Sequence, residues 1–186
     1  MVRLVKLLSR SPEETGRIGE AIGRVLTAGD VVALTGVLGS GKSVLARGIM
    51  SGLGVASRMP SPTFVIVATY EVTGAAGCVA VNHVDLYRIE SSEEAVGAGV
   101  EEALFSDAIS IVEWAEKAPD LLPGKRLDIA IELRRRPEER LLTIVPTGEE
   151  VGGRLLPLVR EWPGGCDAGD AGGAAGVGRE NEGSGK

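Results

Sequence analysis

Apolar residues along the chain recur with two periods, and the changes of period mark its elements. Ile18, Ile22, Val25 and Leu26 share one helical face. Ser11-Pro12-Glu13-Glu14 predicts where that helix starts: serine can cap, proline suits the first helical position, and Glu14 completes a capping box. Gly29 is the expected stop. Val31 to Thr35 is a short apolar strand, and Leu45, Ile49 and Leu53 then step by four toward Gly54, predicting a second helix. Phe64 to Glu71 and Cys78 to Asp85 read as strands, and Gly74-Ala75-Ala76-Gly77 joins them as a hairpin rather than a crossover. Ser91 to Leu104 predicts a helix loosened by Gly97 and Gly99, followed by a buried strand over Ile109 to Trp114. Leu127, Ile129, Ile131 and Leu133 alternate with Asp128, Ala130 and Glu132, as in a half-buried strand. The turn Arg134 to Glu139 leads to a last strand, Leu141 to Val145. Met1 to Arg10 is a short apolar stretch broken by Arg3 and Lys6, too short and too charged for a signal peptide.

Composition narrows the class. A chain of 186 residues with 44% apolar residues fits one domain with a sizeable core, and 3% aromatics make that core aliphatic. The formal charge of −6 argues against an autonomous nucleic-acid binder, which would show a basic face. Cys78 and Cys166 form neither a disulfide framework nor a metal-ligand cluster. No window has the length and apolarity of a membrane span, so the expectation is a soluble cytoplasmic protein. From Pro163 the chain turns to glycine, alanine and small acids, which cannot bury enough apolar surface to offset their ordering entropy. The expected organisation is therefore a folded domain over 1–162 and a disordered Gly/Ala-rich tail over 163–186.

One segment carries a specific chemical signal. Gly36-Val37-Leu38-Gly39-Ser40-Gly41-Lys42-Ser43 satisfies the pattern G-x-x-x-x-G-K-[ST] in full. The glycines let successive backbone N–H groups turn toward phosphate oxygens. Lys42 places a positive charge on the outer phosphates, and the Ser43 hydroxyl has the size to ligate Mg²⁺. The loop lies between an apolar strand and an amphipathic helix whose N-terminus favours anions. A chance match in a glycine-rich chain would lack that context. The expected ligands are ATP and Mg²⁺, with Gly36, Gly39, Ser40, Gly41, Lys42, Ser43 and Val44 as the nucleotide-binding residues. The fold class that follows is α/β: a P-loop NTPase-type three-layer sandwich with a mixed sheet and an antiparallel hairpin after the P-loop helix.

A phosphate loop needs a carboxylate across the sheet to hold the metal. Two apolar runs end in acids, Ile109 to Glu113 and Val79 to Asp85. Taken alone, an acid at a strand end is more often a turn or cap residue. Beside a phosphate loop the balance reverses, because the flanking strands deliver their ends to one crevice. Two acids and one metal suggest divided labour, one acid near the metal and one orienting the attacking water. His83, the only histidine, reads as a packing or hydrogen-bonding residue. Trp114 fits either the core or a contact with the base. Arg134-Arg135-Arg136 reads as a solvated cluster, and Arg140, opening the last strand, is within reach of a nucleotide.

Together with the loop, Ser61-Pro62-Thr63-Phe64, His83-Val84-Asp85-Leu86-Tyr87-Arg88 and Ile111-Val112-Glu113-Trp114 resemble one family. It is the bacterial P-loop ATPase (TsaE/YjeE-like) of tRNA threonylcarbamoyl-adenosine modification, and the resemblance covers about Ser9 to Gly148. It implies that Ser43 and Glu113 ligate Mg²⁺, that Asp85 supports hydrolysis with Lys42, and that Thr63 lies in a nucleotide-sensing loop. It also implies a function in N6-threonylcarbamoyl modification of adenosine 37 in tRNAs. The ATPase would not perform the transfer; it would cycle on a two-protein threonylcarbamoyl transferase complex (TsaB/TsaD-like), meeting tRNA through that complex. Val37 stands where the family usually has aspartate, and Ser43 where threonine is commoner. The rival reading is a P-loop small-molecule kinase, which needs an acceptor pocket and usually an arginine-bearing lid; after Trp114 the chain offers Pro119 to Pro123 and a strand pair. A third is an interaction module switched by bound ATP. Phosphate release from ATP with no acceptor present separates hydrolysis from kinase chemistry.

Overall fold

The computed structural model describes residues 4–55, 65–74, 77–148, 151–155 and 166–167. Its centre is one mixed sheet in the order β3-β4-β5-β2-β6-β7-β1-β8. In chain order the elements are β1 (Val5–Ser9), α1 (Pro12–Gly23), β2 (Val31–Thr35), α2 (Lys42–Gly52), β3 (Val67–Gly74) and β4 (Gly77–Asp85). They continue with α3 (Ser92–Gly97), α4 (Val100–Leu104), β5 (Ile109–Glu113), β6 (Arg126–Leu133), β7 (Arg140–Thr147) and β8 (Cys166–Asp167). Strands β4, β5, β2 and β6 run parallel, so their C-terminal ends share one edge. Antiparallel strands flank this centre: β3 on β4 at one side, then β7 and β1 beyond β6 at the other.

Strand periodicity divides the core between the two faces of the sheet. Val32 and Leu34 of β2, with Ile109 and Ile111 of β5, pack with Ile18 and Ile22 of α1 and with Leu45, Ile49 and Met50 of α2. Val31, Ala33 and Val112 point the other way, onto Leu86, Ile89, Ala95, Val100 and Leu104 around α3 and α4. The result is the expected α/β sandwich of three layers with an aliphatic core.

Helix α1 starts where its sequence predicts. The Ser11 hydroxyl accepts the Glu14 backbone N–H at 3.1 Å, and the Glu14 carboxylate accepts the backbone N–H of Arg10, one residue before the cap. Glycines then bring α1 and α2 together. A Cβ on Gly19 would stand 2.5 Å from the Leu45 carbonyl oxygen, and those on Gly23, Gly48 and Gly52 would strike the backbone of Ile49, Gly16 and Glu20. The two helices therefore touch main chain to main chain, which fixes α2 against the sheet.

Some elements depart from the sequence reading. Residues Val5–Ser9 form a strand: Val5 and Leu7 are buried, Lys6 is exposed between them, and the segment pairs with β7. The helix expected over Ser91 to Leu104 is two short helices, broken where Gly99 takes a φ of +78°. Helix α1 ends at Gly23, six residues before Gly29. The hairpin is antiparallel as expected, with its first strand at Val67–Gly74, while Phe64 lies outside the described residues. The expected tail lies outside them too, except Cys166 and Asp167, which pair with β1. Among the described residues no helix is long and apolar enough to cross a membrane.

Candidate functional site

The phosphate-type loop leaves the C-terminal end of β2 and closes into α2. Gly36 has a φ of +140°, and a Cβ there would sit 2.5 Å from the Ile131 carbonyl oxygen, so only glycine lets the loop leave its strand this way. Gly41 is the residue before α2 and takes a φ of +104°. The first turn of α2 closes on its carbonyl, which accepts the Val44 and Leu45 N–H groups at 3.1 and 3.0 Å. Within this loop the Ser40 hydroxyl is buried and has no hydrogen-bond partner. A buried polar group left unpaired costs free energy, and a ligand oxygen in the loop would remove that cost.

Lys42 is folded back on the loop. Its Nζ donates to the carbonyls of Gly36 at 2.6 Å and Val37 at 3.0 Å. The Trp114 ring lies over it, 3.4 Å from the ring centroid to Nζ. Burial pushes the Lys42 ammonium below its ordinary pKa, against the pull of Glu116, Glu113 and Asp85. Trp114 thus covers the lysine and not a base site. It follows β5 in the left-handed region, at φ +59°, and leans on Tyr87 with ring centroids 5.1 Å apart.

Both candidate acids come from parallel strands beside the loop. Asp85 ends β4, Glu113 ends β5, and they are partners in register. Ser43 on α2 donates from its hydroxyl to the Glu113 carboxylate at 2.6 Å, across 70 positions of sequence. Glu113 is buried, at 2% exposure, and its other oxygen lies 2.9 Å from Nε2 of His83, a residue of β4. Asp85 accepts the Tyr87 backbone N–H at 3.0 Å. Burial pushes its carboxyl above the ordinary range, opposed by that hydrogen bond and reinforced by the neighbouring Glu113 charge.

The donors at this corner, Ser43 and Glu113 with Asp85 beside them, are all oxygens, which suits a hard divalent cation. Among the described residues no group of three or more His, Cys, Asp and Glu forms an all-protein metal cage. That fits magnesium, which takes one or two protein ligands and fills its shell with water and phosphate oxygens. Arg140 is placed differently from the expectation that it reaches a nucleotide. Its Nε donates to the Ser40 carbonyl at 2.8 Å and one Nη to that of Gly39 at 3.3 Å, while the other Nη serves Pro137 and Glu139. It holds the loop through main-chain oxygens. Gly36, Gly39, Ser40, Gly41, Lys42, Ser43, Asp85 and Glu113 therefore share one corner, and Thr63 lies outside the described residues. Sequence reasoning gave His83 no part in this corner; its signal was the alternation along β4 that puts His83 and Asp85 on the same face.

Comparison with known proteins agrees with this geometry. The family model described as threonylcarbamoyl adenosine biosynthesis protein TsaE matches residues 9–141. A protein of Treponema pallidum named tRNA threonylcarbamoyladenosine biosynthesis protein TsaE is 33% identical over 129 residues, 69% of this chain and 92% of its own length. Its namesake in Bacillus subtilis is 33% identical, over 79% of this chain and 89% of that one. The one in Mycobacterium leprae is 35% identical, over 70% and 84%. The crystal structure of YdiB from Bacillus subtilis superposes with a TM-score of 0.68 at 30% identity, covering 86% of this chain and 97% of that one. The chain therefore belongs to the TsaE family of threonylcarbamoyl adenosine biosynthesis proteins.

Proposed function

We propose that this protein is a Mg²⁺-dependent ATPase that serves N6-threonylcarbamoyl modification of adenosine 37 in tRNAs by cycling on a two-protein transferase complex. The observation that carries the reading is the Ser43–Glu113 contact, 2.6 Å across two elements, directly after a complete phosphate loop. Family membership supplies the pathway, since the relatives are named for threonylcarbamoyladenosine biosynthesis.

In this reading the loop amides and the N-terminus of α2 receive the phosphates. Lys42 leaves the Gly36 and Val37 carbonyls and neutralises the outer phosphate oxygens. Ser43 and Glu113 hold Mg²⁺, which when bound draws charge from the phosphates during cleavage. Asp85, its carboxyl raised by burial, accepts a proton from the attacking water or orients that water. Arg140 keeps the loop in place from behind.

No arginine lid is present among the described residues that follow Trp114. Phosphoryl transfer gains several powers of ten when an arginine reaches the transition-state oxygens. The isolated protein is therefore expected to bind ATP and hydrolyse it slowly, with docking on the transferase pair raising the rate. Single-turnover phosphate release, with and without the reconstituted pair and tRNA, tests this. Stimulation by the pair is expected; a fast isolated enzyme indifferent to it removes the gated cycle. Phosphate appearing only when a small-molecule acceptor is added would instead reveal a kinase.

A further inference from the structure

We infer that His83 is the positioning residue for Glu113: its Nε2–H aims the carboxylate so that the second oxygen meets Ser43 and the metal. The inference rests on the magnesium site proposed above. It goes beyond that site by naming the residue that sets its geometry.

Three contacts make one chain across three elements. His83 Nε2 lies 2.9 Å from one Glu113 oxygen, and the other oxygen accepts the Ser43 hydroxyl at 2.6 Å. His83 and Glu113 are on neighbouring parallel strands, with His83 opposite Ile111 and Asp85 opposite Glu113 in register. The imidazole therefore reaches one step along β5 to the carboxylate. Both side chains are buried, at 7% and 2% exposure. Water is poorly placed to take over the contact, so losing the imidazole leaves a buried carboxylate oxygen unpaired.

Chemistry fixes the direction of the bond. An ionised carboxylate only accepts, so Nε2 carries the proton in either protonation state of the ring. A carboxylate with one oxygen tied to a buried ring cannot rotate freely, and its other oxygen is pre-aimed at the N-terminus of α2. Outer-shell partners of this kind orient metal ligands, and losing one costs about 10–100-fold in metal affinity.

The test uses the whole protein and two readouts. The first is the Mg²⁺ dependence of fluorescent-ADP binding, measured for wild type, His83→Ala, His83→Gln and His83→Asn. A glutamine amide can place its N–H near the Nε2 position, whereas an asparagine amide falls near Nδ1. Expected results are a rise of about 10–100-fold in the half-saturating Mg²⁺ for alanine and asparagine. Glutamine should stay within about threefold of wild type, and metal-free ADP binding should be unchanged in all four. The second readout needs no metal. His83 is the only histidine, so a two-bond ¹H–¹⁵N spectrum shows a single imidazole. It should report a proton on Nε2 that shifts in Glu113→Gln.

Folded alanine and wild-type proteins with equal Mg²⁺ dependence overturn the inference, as does an Nδ1–H tautomer with Nε2 bare. Equal behaviour of glutamine and asparagine also overturns it, by showing that Nε2 geometry does not matter. If the wild type shows no Mg²⁺-dependent ADP binding, the magnesium site itself fails, a result separable from the others. Thermal melts of each variant exclude unfolding as the source of any loss, and glutamine rescue keeps the inference testable if alanine does not fold.

Discussion

At the N-terminus of α2, Gly36 and Gly41 make room and turn the backbone; along its flank, Gly48 and Gly52 take room away. The loop glycines stand at φ +140° and +104°, where side chains are strained. The flank glycines lie in ordinary helix, and what they meet is the backbone of α1 at Gly16 and Glu20. Gly19 and Gly23 do the same from the α1 side. Each glycine inside a helix costs about 0.5–1 kcal/mol against alanine. Main-chain contact between the helices offsets that cost through close-packed dispersion. The two sets serve one end. Clamping α2 at its flank fixes its N-terminus, and there Lys42 and Ser43 meet the loop and Glu113.

If the two regions divide labour this way, damage to one should spare the other. Lys42→Ala should produce the largest effect, a fall in ATP affinity of at least about 100-fold from the loss of a charge-assisted phosphate contact. The melting temperature should move by no more than about 2 °C, since Lys42 bonds only to loop carbonyls beside the exposed Val37 and Leu38. Fluorescent-nucleotide titration and a thermal melt measure both. Unchanged affinity in a folded variant would remove the proposed nucleotide site.

Gly48→Ala should reverse that pattern. Its new methyl would press on the Gly16 carbonyl, which is backbone and cannot step aside. Overpacking of this kind costs about 1–3 kcal/mol. Gly16→Ala is the matched control, because a Cβ there meets nothing within 4 Å. It should stabilise by about 0.5–1 kcal/mol through helix propensity. Urea titrations of the two variants should give opposite signs. Equal signs would mean that the helices are not in main-chain contact, and that the flank glycines do not clamp α2.

This contrast also explains what the sequence could and could not disclose. The phosphate loop was legible because its signal is local: eight consecutive residues between a strand and a helix. The strands β2, β5, β6 and β7 were legible from period, with boundaries close to those observed. The glycine clamp was not, because Gly19 and Gly48 read as weak points within their helices until the partner helix is in view. Strand β1 was missed because Lys6 interrupts an already short run, although Val5 and Leu7 alternate around it. Asp85 and Glu113 were both found as acids at strand ends. Their pairing in register, the reach of His83 to Glu113 and the role of Arg140 behind the loop depend on strand order, which no local pattern contains.

The smallest expected effect separates Asp85 from Glu113 by pH. Burial is the main cause that raises the Asp85 carboxyl above its ordinary 3.8, and the Glu113 charge adds to it. Folding therefore strengthens proton binding at this group, so Asp85 favours the folded state at low pH. That advantage is lost as pH rises from about 3.8 through the raised value. At neutral pH the ionised Asp85 is a net cost to folding. Asparagine removes the charge and keeps an oxygen that can accept the Tyr87 N–H. Asp85→Asn should accordingly melt slightly above wild type at pH 7, without nucleotide or metal, and the gap should close as pH falls below about 3.8. Melting curves between pH 3 and 8 measure the gap directly. The same substitution should slow phosphate release while leaving Mg²⁺-dependent ADP binding close to wild type, because Asp85 is assigned to the water and Glu113 to the metal. Parallel melting profiles would show that Asp85 carries no raised proton affinity. A loss of Mg²⁺ dependence in Asp85→Asn with Glu113→Gln unaffected would exchange the roles of the two acids.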